Sequence, residues 1–338
     1  MDTAHKPPEA GAKAPPAARS VGIDGVDALF RQLAANGYRL VGPTIRDGVV
    51  VLDEIPDIGA LPRGWVDEQQ PGRYRLRRDG DALFGCLPGP QGPKRWLHVP
   101  RQTLWRTEGS GATIRIVAQA PDHTPLALIG LRACELEAIR IQDRVLAGGE
   151  SADPHYAARR AGVFVVAVEC GRAGETCFCT AVGSGPEVRA GFDVALTEIA
   201  TGAQARFVVR AGSERGAALA AALPGRDATA DDLAAARALT DQARAQVGRS
   251  LPMDGLAERL TANAEHPRWD EIAGRCLACA NCTLVCPTCF CTTTEDSSTI
   301  GDDATQRERR WDSCFTSRSP TCTAARSGAA RLSATGSG

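Results

Sequence analysis

No apolar run in this 338-residue chain approaches the ~18 residues needed to cross a bilayer, and the N-terminus lacks a charged segment followed by an apolar one. Membrane-spanning and exported classes are set aside, and the expectation is a cytoplasmic protein. Charge of one sign is also missing. Lys plus Arg number 39 against 40 Asp plus Glu, a net −1 that cannot supply the clustered positive charge of a nucleic-acid groove. No internal repeat recurs at a fixed period. No general base, nucleophile or flavin-binding fingerprint stands out either, so the chain itself is not expected to turn over a substrate.

What the chain does have is cysteine. Thirteen in a cytosolic protein would stay reduced and open to metal or oxidant, and the odd number disfavours a disulfide framework. Apart from the isolated Cys86 and Cys322, they fall into an N-terminal group of four and a C-terminal group of seven. The 43% hydrophobic content builds a real core, and the length accommodates two domains.

Residues 1–20, rich in Pro, Ala and Gly, carry almost nothing to bury and are expected to form a disordered tail. Helical spacing of Val26, Leu29, Phe30 and Leu33 predicts a first helix that stops at Asn36-Gly37. Tyr38 to Val41 and Val49 to Ile55, flanking Arg46-Asp47-Gly48, predict a β-hairpin. From Gly72 to Trp105 basic residues alternate with aromatics, as in Lys94-Arg95-Trp96. Such a cluster either binds a phosphate or a partner subunit, or is a solvated face with Trp96 and Trp105 in the core.

Two short apolar runs follow. Leu126 to Leu131 leads through Arg132-Ala133-Cys134 into a predicted helix over 135–146, and Val163 to Val168 leads to Cys170 and then Cys177-Phe178-Cys179. Two consecutive strands thus deliver thiols at their C-terminal ends, where open α/β sheets place ligands. Further strands are predicted over 193–199 and 206–209, then helices over 230–247, 254–260 and 269–273. The fold class expected is an α/β N-terminal domain, residues 21–250, followed by a mainly helical ferredoxin-type domain, residues 251–317.

Cys276, Cys279, Cys282 and Cys286, with Pro287 next, have the C-x2-C-x2-C-x3-C-P spacing of bacterial ferredoxins. One short loop with three such cysteines can wrap a cubane, giving thiolates and backbone N–H donors to its sulfides. The fourth cysteine of the motif ligates the other cluster of a two-cluster ferredoxin. Zinc also takes four cysteines, but structural zinc sites come as two separated C-x2-C pairs; a zinc-stabilised, non-redox interaction module is the alternative from another class. Cys289, Cys291 and Cys314 are extra to the pattern, and either help hold a cluster or pack as buried thiols. Cys134, Cys170, Cys177 and Cys179 equal one 4Fe–4S ligand set, or are separate core and loop cysteines.

With these residues in place, the chain resembles the β subunits of soluble NAD(P)-linked nickel–iron hydrogenases, the sulfhydrogenase family, of which the anaerobic sulfite reductase A subunit is a relative. The resemblance spans 22–315. It rests on Gly42-Pro43-Thr44, Asp67-Glu68 to Tyr74, Pro100-Arg101, Leu131 to Leu136, Cys177-Phe178-Cys179 with Gly185-Pro186, Arg275 to Cys291, and Arg310 to Cys314. It implies 4Fe–4S clusters, two or three in the full-length form. It also implies an electron relay between a flavin-containing NAD(P)H subunit and the small and large hydrogenase subunits, or alternatively a place in a sulfite- or sulfur-reducing complex.

One departure matters. The resemblance implies a second ferredoxin motif beyond Cys314, whereas this sequence runs to Gly338 through Ser-, Thr-, Ala-, Gly- and Arg-rich residues. We read 318–338 as non-native or disordered, from a frame shift shortly after Phe315; an intact frame in independently checked DNA would refute this. On the implied wiring, Cys276, Cys279 and Cys282 lack their fourth ligand, Cys286 lacks its three partners, and the N-terminal four are unaffected.

Overall fold

The structure, a computed structural model, describes residues 18–109, 113–277, 279–298 and 305–313. Strand β1 (Arg19–Gly22) runs into helix α1 (Ile23–Ala35), which buries Val26, Leu29, Phe30 and Leu33 as their spacing requires. Strands β2 (Arg39–Arg46) and β3 (Val49–Glu54) pair through the two-residue turn Asp47-Gly48. Both turn residues have positive φ, 49° and 76°, the backbone that matches the right-handed twist of the flanking strands. Strands β4 (Trp65–Gln70) and β5 (Arg73–Arg78) form a separate ribbon. Helix α2 (Lys94–Leu97) then precedes strands β6 (Arg101–Glu108) and β7 (Arg115–Ala118).

The central unit follows: β8 (Leu126–Leu131), α3 (Ala133–Gln142), α4 (Pro154–Ala161) and β9 (Val163–Val168). Then come β10 (Val194–Ala200), β11 (Arg206–Ala211), α5 (Glu214–Ala221), β12 (Arg226–Asp227) and α6 (Ala230–Gln246). Eight strands build one mixed sheet in the order β12-β1-β11-β10-β9-β8-β2-β3, with β2, β8, β9 and β10 running parallel in the centre. Along β9, Phe164, Val166 and Val168 join one core and Val163, Val165 and Ala167 the other. Both faces are covered, which explains the unbroken apolar run. Each fully buried Leu, Ile or Val contributes about 1.5–3 kcal/mol. The ends of β8 and β9 are therefore held side by side by two cores.

The expected mainly helical C-terminal domain is overturned. Helices α7 (Leu256–Ala262), α8 (Arg268–Gly274) and α9 (Asn281–Val285) are short, and α7 and α8 bury no side chain. Strands β13 (Thr292–Ser298) and β14 (Thr305–Trp311) form a hairpin, and β14 pairs with β6 to give a four-stranded sheet, β13-β14-β6-β7. The sequences TTTEDSS and TQRERRW show no apolar alternation, so periodicity gives no sign of strands. Pairing with β6, 198 positions earlier at Thr107 and Thr305, is what makes them strands. The C-terminal stretch is thus built into a sheet with the N-terminal half. The expectations for 1–17, for 314–338 and for Cys314 lie outside the described residues.

Candidate metal centres

The N-terminal centre begins where β8 leaves the core. Arg132 takes extended backbone as the cap of α3, and its N–H donates to the Glu135 carboxylate at 2.9 Å, which sets Cys134 in the first turn. The Arg132 guanidinium, 5% exposed, donates to four carbonyls: Glu169 and Phe84 at 2.6 Å, Cys86 at 2.9 Å and Val168 at 3.5 Å. One side chain therefore fixes the end of β9, from which Cys170 follows, against the 84–86 loop. Arg172 holds the next loop, donating to Asp67 Oδ1 at 2.6 Å and to the Gly85 carbonyl at 2.8 Å. In that loop Gly174 N–H donates to Cys177 Sγ at 3.3 Å, and Ser184 N–H to the Cys179 carbonyl at 2.9 Å. At Gly185, with φ 157°, a Cβ would lie 3.1 Å from Ala133 Cβ and 3.5 Å from Cys179 Sγ. Only glycine lets this loop close against the start of α3.

These contacts bring the four thiols together. Burial pushes the Cys134 thiol well above the ordinary range, and Glu135 and the other three thiols push it further. Burial raises Cys170 to about 11, with Arg132 opposing and Cys179 and Cys177 adding. Cys179 is raised by burial and then by Cys177. Every pair of the four is thus within electrostatic reach. Cys134 is solvent-exposed and yet desolvated at its thiol, as a side chain lining a concavity is. Four crowded thiols cannot all ionise without a countercharge, which a cationic metal core supplies. The donor set, four soft sulfurs with at least one backbone N–H aimed at them, fits a 4Fe–4S ligand set.

The C-terminal motif is divided. Cys276, Cys279 and Cys282 are exposed, and Leu277 between them is 89% exposed. Cys286, Cys289 and Cys291 are half-buried: Cys289 N–H donates to the Cys286 carbonyl at 3.3 Å, and all three thiols lie within electrostatic reach of the Lys94 ammonium. Gln142 of α3 donates to the Pro287 carbonyl at 2.9 Å, and Asp312 N–H to the Cys291 carbonyl at 2.9 Å, so the loop is tied at both ends. At Cys286, burial acts upward but hydrogen bonds from Thr288 and Cys289 outweigh it and lower the thiol. Burial and the Cys286 contact push Cys289 up to about 12. Among the described residues no three or more His, Cys, Asp or Glu are placed to hold a single metal ion.

Sequence reasoning names every one of these thiols but misses Arg132 as the tie between strands and Lys94 as the cation within electrostatic reach of the C-terminal loop. Lys94 stands in the basic-aromatic cluster, which in the structure turns inward. Trp96 Nε1 donates to the Leu52 carbonyl at 3.1 Å, Arg307 lies 5.1 Å over Trp105, and Lys94 lies 4.0 Å over Trp311.

A 4Fe–4S dicluster domain matches residues 275–333, which takes in the whole cysteine motif. Sulfhydrogenase 2 subunit beta of Pyrococcus furiosus is 31% identical over 225 residues, covering 66% of this chain. The chain is thus similar to a hydrogenase β subunit. Its cofactors are 4Fe–4S clusters. The match spans 64% of the Pyrococcus subunit's own length, just under two thirds. No solved structure matches the chain. Among its described residues no helix is long and apolar enough to cross a membrane.

Proposed function

We propose that the chain is an electron-relay subunit, passing electrons between a flavin-containing NAD(P)H subunit and the small and large subunits of a nickel–iron hydrogenase. The observation that carries this reading is the convergence of Cys134, Cys170, Cys177 and Cys179 at the ends of two core strands, in a chain that also contains a dicluster domain. When bound, a 4Fe–4S cluster takes up and gives back single electrons. The protein's part is to hold the thiolates still. Arg132 and Arg172 do this by tying three separate segments to one another through backbone carbonyls and Asp67. Ligands fixed in this way move little when the charge of the centre changes.

The test is anaerobic purification of the full chain with assay of iron and acid-labile sulfide. The relay reading expects both, in matching amounts, with visible absorbance that bleaches on adding NAD(P)H and the flavin subunit. Colourless protein holding stoichiometric zinc would instead make it a zinc-stabilised module. Cys134→Ser should remove one part of the iron and Cys276→Ser another. If neither does so in folded protein, the ligand assignment is wrong.

A further inference from the structure

A cavity of about 410 Å³ lies between α2 and α9, within the size range of ligand-binding clefts. Its charge is one-sided: Lys94 and Arg95 line it, and no Asp or Glu does. Lys94 is 5% exposed, its Nζ donates to the Thr283 carbonyl at 3.1 Å, and it rests 4.0 Å over the Trp311 ring. An ammonium has three N–H donors, so two are left over, and neither a carbonyl nor a ring supplies a counter-charge. Arg95 is held in place 5.5 Å over the Trp96 ring and by donating to the Gln91 side chain. Among the described residues neither cation has a carboxylate as hydrogen-bond or ion-pair partner. Much of the remaining wall is apolar, formed by Trp311, Leu284, Val285 and Pro287. Leu284 and Val285 are exposed. Apolar side chains left in water at the edge of a cationic cleft mark a place where something binds.

We propose that this cleft is the docking site for an acidic segment of a partner protein, which sets a carboxylate on Lys94 and Arg95 and an apolar side chain against Trp311, Leu284 and Val285. The proposal goes beyond the relay reading, since it requires no electron to move. Charge decides the occupant. The chain's own residues 314–338, which follow directly on Ser313, hold three arginines and no Asp or Glu, so they do not complement the cleft. An acidic segment does: its carboxylate takes the unused donors of Lys94 and supplies the counter-charge that burial demands. A protein segment is favoured over a free anion by Leu284 and Val285, which a small carboxylate leaves in water. Pro287 follows Cys286 directly, so the docked segment lies beside the cysteine motif.

The experiment selects a phage-displayed library of random peptides on the full chain, purified anaerobically, and measures the enriched sequences as synthetic peptides by fluorescence polarisation. Enriched peptides should pair Asp or Glu with a large apolar residue, and raising the ionic strength should weaken their binding. Lys94→Met should weaken it at least about tenfold, as loss of a buried charge partner does. Arg95→Glu and Leu284→Glu, at positions open to water, should each weaken it about threefold or more, by placing an acid where the peptide brings its own. If Lys94→Met fails to fold, these two variants decide. Three results overturn the proposal: no peptide enriched, enriched peptides without acidic residues, or unchanged affinity in folded Arg95→Glu and Leu284→Glu. Binding of inorganic phosphate with no peptide enriched assigns the cleft to a free anion and overturns it as well. A wild-type chain that holds no iron yet binds the peptides defeats the relay reading alone, which keeps the two failures apart.

Discussion

Cys134 and Cys276 both open a group of clustered thiols but stand in opposite physical situations. Cys134 starts a helix whose Ala133, Leu136 and Ile139 join one core, and four carbonyl bonds from Arg132 hold the adjoining strand ends. Cys276 follows α7 and α8, which bury nothing, and is exposed, as are Cys279 and Cys282. In the first region the fold itself positions the thiols. In the second, packing contributes little before Thr283, so order there would come from metal binding. The loop from Cys286 to Cys291 lies between these extremes, tied by Gln142 and Asp312.

The sharpest way to break this contrast is Arg132→Met. It strips four carbonyls of a charged donor at once and should cost about 3–5 kcal/mol in chemical denaturation, with loss of the N-terminal centre's iron. A cost under about 1 kcal/mol would mean the strand ends hold themselves.

Next in size is acid sensitivity at the junction of α2 with the C-terminal hairpin. His98 is 1% exposed and stacks against Trp311, and its pKa is lowered from 6.5 to about 4, first by burial and then by Arg309. Between those values the unfolded chain holds the extra proton. Stability is therefore complete above about pH 6.5 and is lost as pH falls toward 4, by about 3 kcal/mol in total. Thermal melts across this range should show the slope, and His98→Gln should flatten it. An unchanged slope would place the acid sensitivity elsewhere.

A subtler effect concerns metal removal. Metal-free protein should be cut by protease within 251–285 well before the eight-stranded sheet is touched, and reconstitution with iron and sulfide should slow that cleavage. Equal cleavage rates would show that the cysteine loop gains no order from metal. Smallest of all, Leu277→Ser should alter stability by less than about 0.5 kcal/mol, given the exposure of the side chain. A larger loss in metal-loaded protein would reveal packing that forms only with the cluster.

Much of the N-terminal fold is legible in its residues. The α1 stripe, the Asp47-Gly48 turn and the apolar runs of β8 and β9 are local signals that the tertiary structure has no reason to override. The β13–β14 hairpin is hidden because polar strands carry no periodic signal until a partner strand selects them. Arg132 is hidden for a related reason: its role consists of bonds to carbonyls, which no residue type reveals.

The sequence by itself determined which atoms are available for chemistry: thiols at two consecutive strand ends and a ferredoxin-spaced run, with no membrane-length apolar segment. That information is local, carried by residue type, period and spacing. Only the tertiary structure decided which thiols meet, which guanidinium holds them and which ammonium comes within electrostatic reach of them. Cys134 and Cys170, Lys94 and Cys289, and Thr107 and Thr305 lie far apart along the chain. Their meeting depends on strand order and on the burial of two cores, quantities that exist only once the whole sheet has formed.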